Sequence, residues 1–269
     1  MATVELSPIR VDAERARAYV LAHGAARDVA RMEGIFGAVG PAREVVRGLE
    51  ELQNPDGGFA ARQVAGSPSS INTTCFLLFQ MRDLPPLSGS PMASRAVAYL
   101  RRVQQPDGSW MESDEALRVG HGWQEPKYLT ALALYTILAH EPEHMDPINR
   151  GAGWLRRALA SDSTGAATPT QTLILTWTTF YRLFGQDSHE AAWAFQTLLH
   201  RDRDAAERAW GLACALEVGA GGKWVLRVAR LLTELAALQR EDGSWPGEEG
   251  FELEATLTAL RVFRGYGVI

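Results

Sequence analysis

The chain has 269 residues, 46% of them hydrophobic and 22% charged, with a formal net charge of −5. This is ordinary globular composition, and with no basic footprint nucleic acid is not an expected partner. Residues 1–10 lack the apolar stretch of a signal peptide, no run of about 18 apolar residues is present to span a membrane, and Cys75 and Cys214 read as buried reduced thiols of a cytoplasmic protein.

In chain order the pattern predicts a series of helical hairpins. Val11–Leu21 and Ala26–Phe36 pair around His23-Gly24, and the amphipathic Pro41–Leu52 follows. A polar loop, Ala61–Ser69, leads to the apolar run Ile71–Met81, then Met92–Val103, and then Pro126–Ala139, which is apolar almost all round and therefore buried on every side. Asn149–Ala160 pairs with Pro169–Phe184, and Glu190–His200 with Ala205–Val218. Trp224–Leu238 and Phe251–Gly265 close the series. No strand signal of any length is present.

Three of these helices end in the same stretch: Gln53-Asn54-Pro55-Asp56-Gly57-Gly58-Phe59, Gln104-Gln105-Pro106-Asp107-Gly108-Ser109-Trp110 and Gln239-Arg240-Glu241-Asp242-Gly243-Ser244-Trp245. Pro, Asp and Gly stop a helix, and Asp-Gly supplies a tight turn in which Gly takes a positive φ. The aromatic ring is then free to fold back over the turn, and the Gln to bridge neighbouring backbone. Eroded copies are expected at Ser161-Asp162-Ser163 and His200-Arg201-Asp202. The turns then recur every ~40–55 residues, one helix pair each, for roughly six hairpins. Amphipathic helices alternating with all-apolar ones imply an outer ring around an inner one.

The repeated Gln-x-x-Asp-Gly-Ser-Trp turns between helix pairs resemble the prenyltransferase and squalene-cyclase repeat family, and the resemblance covers nearly the whole chain. It implies a single all-α domain over residues 1–269, an (α/α)6 toroid whose active site lies in the central cavity near the N-terminal ends of the inner helices. Function rests on the site and not on the repeat.

Class II terpene cyclases of that family carry Asp-x-Asp-Asp, whose middle acid protonates an alkene. The nearest match here is Glu252-Leu253-Glu254-Ala255-Thr256, with longer acids and the third missing. Glu254 would be the acid and Glu252 its proton-sharing partner. A second acid group, Glu112, Asp114 and Glu115, follows the second turn, and Glu125 precedes an inner helix. Against these roles, acids near helix starts also simply favour the helix dipole.

Zinc-dependent protein prenyltransferases use an Asp-x-Cys and a later His. Thr73-Thr74-Cys75-Phe76 resembles the second context with Thr73 in place of His, and no Asp-x-Cys occurs, so no zinc or other cofactor is expected. The His140/His144 pair straddles Glu141-Pro142 at a helix end and reads as surface. The Gly-Cys-Gly-Glu-Gln string of thioester domains is absent.

Trp110 and Trp245 belong to the turns. Trp123, Tyr128, Trp177, Phe180 and Tyr181 lie at or in inner helices, where aromatic faces would stabilise a passing carbocation or just fill core. The expectation is a metal-independent, terpene-cyclase-like enzyme acting on a hydrophobic, isoprenoid-like small molecule. Glu254 and Glu252 would be catalytic, with Trp123, Glu125, Tyr128, Trp177 and Asp114 at the substrate. The alternative is a toroid that binds a hydrophobic ligand or protein partner without chemistry.

Overall fold

The computed structural model describes residues 9–38, 40–41, 43–119, 125–162, 164–201, 203–219 and 225–269. The protein is mostly helical, 66% of it, as the all-apolar and amphipathic runs dictate. In chain order the helices are α1 (Ala13–His23), α2 (Ala26–Ile35), α3 (Arg43–Leu52), α4 (Ile71–Met81), α5 (Pro85–Ser88), α6 (Pro91–Arg102) and α7 (Asp114–Val119). They continue as α8 (Pro126–His140), α9 (Met145–Leu159), α10 (Thr170–Phe184), α11 (His189–Leu199), α12 (Ala205–Glu217), α13 (Val225–Ala236) and α14 (Glu252–Gly265). Among the described residues none of them is long and apolar enough to cross a membrane.

Local chemistry explains where the helices depart from the expected bounds. α1 starts at Ala13 because the Asp12 side chain accepts the Arg15 amide and caps it. α9 starts at Met145, a turn before the expected Asn149, because Pro147 is tolerated in a first turn, where the missing N–H has no partner to lose. The short α5 and α7 were not anticipated. Nor was the two-residue antiparallel pair β1 (Phe59–Ala60) and β2 (Ser69–Ser70), which falls at the ends of the expected polar loop. Asn54 ties that loop down through Nδ2, which donates to the Ser67 carbonyl and to Ser69 Oγ.

The chain divides into two compact units, residues 1–38 with 202–269, and residues 39–201. In the first, α14 packs against α1, α2 and α12 around Val20, Met32, Leu212, Leu235, Leu257 and Phe263, all buried. In the second, α8 packs against α4, α6, α9 and α10, and α10 also against α11. Every residue of α8 from Leu129 to Leu138 is buried, and every residue of α10 from Thr172 to Phe180. α8 is the all-round buried helix that its composition predicts, and α10 is buried as completely although threonines interrupt its apolar run.

The three Gln-x-x-Asp-Gly turns share one hydrogen-bond pattern. Gln53 Nε2 donates to its own Gly57 carbonyl and to the Met92 carbonyl in the first turn of α6, both at 2.9 Å. Gln104 Nε2 donates to the carbonyls of Gly108 and of Pro147 in α9, both at 3.0 Å. Gln239 Nε2 donates to the carbonyls of Gly243 and of Asp12, the cap of α1, at 3.1 and 2.9 Å. The Asp oxygen of each turn accepts the second amide onward and a serine hydroxyl: Gly58 and Ser69 for Asp56, Ser109 for Asp107, Ser244 for Asp242. These bonds to the anion hold the Asp107 and Asp242 carboxyls below the usual carboxylate range.

Glycine is required at the turn for two reasons. Gly57, Gly108 and Gly243 have φ of 89°, 99° and 91°. A Cβ at each would also stand 2.5 Å from a backbone oxygen, of Arg95, Arg150 and Arg15 respectively. The aromatic that follows is sealed in. Phe59, Trp110 and Trp245 are fully buried, and each donates its amide to a threonine of a buried helix, Thr74, Thr130 and Thr256. The two indole N–H groups donate to the carbonyls of Leu100 and Leu235.

The expected eroded turn at Ser161-Asp162-Ser163 keeps only part of this. Asp162 accepts the Ala167 amide and the Thr168 hydroxyl, and Gly165 has φ 71°, but Leu159 stands where the Gln would be. Arg201 holds the turn instead, donating to the Gly165 carbonyl and Thr170 Oγ1. Ser163 and Asp202 lie outside the described residues.

Candidate functional site

The two acids expected to be catalytic occupy the first turn of α14, where they have separate partners. Glu254 is forked onto Arg31 of α2: Nη1 donates to Oε2 at 2.6 Å and Nη2 to Oε1 at 2.8 Å. The Arg31 side chain is 0% exposed and that of Glu254 23%. Asp28 lies one turn earlier on α2, 3.9 Å from Arg31 Nη1. Both oxygens of Glu254 therefore act as acceptors of charged N–H groups, the arrangement that favours the carboxylate anion. Glu252 instead accepts the Gly250 amide through Oε2, at 3.1 Å, and helps start the helix. Arg31 was not singled out in the sequence. It sits between the apolar Ala30 and Met32, and its partner is 223 residues away.

In the other unit, the starts of α4, α8 and α10 carry a second polar group. Glu112 caps α4, its carboxylate accepting the Ile71 and Asn72 amides and the Ser70 hydroxyl. Tyr128, in the first turn of α8, donates its hydroxyl to Asn72 Oδ1 at 3.3 Å. Glu125 is the N-cap residue of α8. Burial lifts its carboxyl above the usual carboxylate range, an effect that Lys127, 3.9 Å from Oε1, partly offsets. Glu125 Oε2 is buried and makes no hydrogen bond. Lys127 also helps lower the carboxyl of Asp162, in the loop before α10, after the hydrogen bonds that Asp162 accepts from Thr168, Thr164 and Ala167.

The remaining expected residues are placed as follows. Asp114 is exposed in the first turn of α7. Trp177 is 3% exposed and packs on Phe195 of α11, with ring centroids 4.8 Å apart. Trp123 lies outside the described residues. Cys75 is fully buried, its thiol pushed up to about 12, and so is inert at neutral pH. His140 is pushed down to about 4, first by burial and then by Arg82, while His144 meets Glu141 at the surface. Among the described residues no group of three or more His, Cys, Asp or Glu side chains could hold a metal ion.

Sequence reasoning also passed over the threonines of α10. Thr172, Thr176 and Thr179 recur on one helical face, are fully buried, and their hydroxyls make no hydrogen bond. Thr178, on another face, follows the usual habit and donates to the Ile174 carbonyl. A surface depression of about 350 Å³ lies between the loop at Thr164 and the face of α11 that carries Trp193 and Gln196, with His200 just past the helix end. The chain matches no protein-family model, and no curated protein matches it.

Proposed function

We propose that this chain is a closed ring of helical hairpins of the prenyltransferase and squalene-cyclase repeat type, an (α/α)6 toroid. It holds a hydrophobic, isoprenoid-like small molecule and does not protonate it through Glu254. The hand-over of the turns supports the ring. Gln53 reaches α6, Gln104 reaches α9, and Gln239, near the end of the chain, reaches back to the cap of α1. The all-round buried helices α8 and α10 would be inner members of such a ring.

The observation that carries binding over acid chemistry is the Arg31–Glu254 fork. Protonating an alkene needs a carboxylic acid that keeps its proton until the alkene arrives. Glu254 is paired at both oxygens with a fully buried guanidinium, and giving it a proton would leave that guanidinium short of an acceptor. Native mass spectrometry of the purified protein with farnesol and with geranylgeraniol tests the reading. The expected result is a one-to-one adduct from which the alcohol is released unchanged. Failure of either alcohol to bind the folded protein would overturn it.

One observation favours a second reading, acid-initiated cyclisation at a different carboxyl. Burial raises the Glu125 carboxyl, which brings it nearer to staying protonated at neutral pH. That reading predicts a cyclised product that is lost in Glu125→Gln.

A further inference from the structure

The turn around Asp162 has lost both its glutamine and its sealed aromatic, and a depression of about 350 Å³ opens beside it. Thr164 lines it from the turn. Trp193, Gln196 and His200 line it from the other side, recurring at helical spacing along one face of α11 and just past its end. Trp193 is half-buried, and Gln196 and His200 are exposed. Arg201 completes the lining and is held in place, Nη2 donating to the Gly165 carbonyl and Nη1 to Thr170 Oγ1. Both acceptors are neutral. Arg31, Arg156, Arg208 and Arg261 bridge helices by meeting a glutamate. Among the described residues no carboxylate pairs with Arg201, and its guanidinium keeps N–H donors to spare.

We propose that this depression binds a small molecule carrying an oxyanion, a carboxylate or phosphate, on a flat ring. The ring packs on the Trp193 indole, and the oxyanion meets Arg201. A guanidinium already oriented by two bonds offers its remaining N–H groups to the paired oxygens of such an anion with little freedom left to lose. Gln196 and His200, at the rim, supply hydrogen bonds to substituents of the ring. The volume is at the small end for a ligand site, room for a single ring with its anionic group and not for a long chain. The last carbonyls of α11 oppose an anion, but the helix dipole amounts to roughly half a charge there against the full charge of Arg201. Asp162, the acid of the turn, is occupied by the Ala167 amide and the Thr168 hydroxyl. The site involves neither Glu254 nor the isoprenoid-like ligand.

The test titrates phenyl phosphate, benzoate, phenol and inorganic phosphate into the full chain, with affinity read by calorimetry. Phenyl phosphate and benzoate are expected to bind about tenfold tighter than phenol, which lacks the charge, and than inorganic phosphate, which lacks the ring. The tighter of the two tells a phosphate ester from a carboxylic acid. Added salt weakens both anions and leaves phenol unchanged. Trp193→Ala lowers the affinity of both ring-bearing anions about tenfold, with an unchanged circular dichroism spectrum. Arg201→Gln removes their advantage over phenol and leaves phenol itself unaffected. An Arg201 that only holds the turn would instead weaken phenol and the anions together, and that result overturns the proposal. So does binding of the two anions no tighter than that of phenol, or binding that survives Trp193→Ala undiminished.

Discussion

Removing one side of the Arg31–Glu254 pair gives a direct reading of its structural role. In Glu254→Gln the guanidinium of Arg31 keeps its position at 0% exposure but loses the nearer of the two carboxylates that face it, Asp28 at 3.9 Å remaining, and one of the two charged acceptors at 2.6 and 2.8 Å. Breaking a buried pair from one side costs about 3–5 kcal/mol. Glu254 is 23% exposed, so some water already reaches the pair, which places the expected loss near the lower end, about 3 kcal/mol. Arg31→Met leaves a carboxylate that water can reach and should cost less. The double variant, which removes both charges of the fork, should recover most of what Glu254→Gln loses. Urea unfolding followed by circular dichroism measures all three. A Glu254→Gln protein within about 1 kcal/mol of the parent would refute the argument, because Arg31 would then not depend on Glu254.

Other consequences are equally specific. Gly108→Ala places a Cβ 2.5 Å from the Arg150 carbonyl at φ 99° and should destabilise by more than about 2 kcal/mol. Gly219→Ala, at φ 63° with nothing within 4 Å, should cost only the backbone strain of about 1 kcal/mol; equal losses in thermal melts would contradict the close-approach argument. Gln239→Ala removes the bonds to Asp12 and Gly243, so hydrogen exchange should show faster opening of α1, with α8 unaffected as the internal control. The depressed carboxyls of Asp107, Asp162 and Asp242 contribute stability that is fully present above the unfolded Asp value of about 4 and is lost as pH falls through their lower folded values. Replacing Asp107 and Asp242 with Asn should therefore flatten the acid limb of a stability–pH curve below about pH 4, and leave its slope at neutral pH unchanged.

Much of the fold was legible in the residues because its signals are local. Pro126–Ala139 is apolar on every face, and α8 is buried along its whole middle. The turn strings carry their own Gly, Asp and aromatic, and the Gln bridge and the buried ring follow from them. The site was less legible because its determinants are distant or depend on facing. Nothing near Arg31 announces a partner on α14. An aromatic at Trp177 is compatible with a chamber wall or with core, and its burial against Phe195 depends on a neighbour 18 residues along the chain. The threonines of α10 share the residue type of Thr130 and Thr256, which are bonded to turn amides. Only the packed structure separates the unpartnered Thr172 from those two.

The central claim is binding without proton transfer from Glu254, and product analysis tests it most directly. The purified protein is incubated with farnesyl and geranylgeranyl substrates, with and without diphosphate, and the extracts are compared with those of Glu254→Gln. Ligand recovered unchanged from both proteins is the predicted result. A cyclised product from the parent that disappears in a Glu254→Gln protein with an unchanged circular dichroism spectrum would contradict it and make Glu254 the acid.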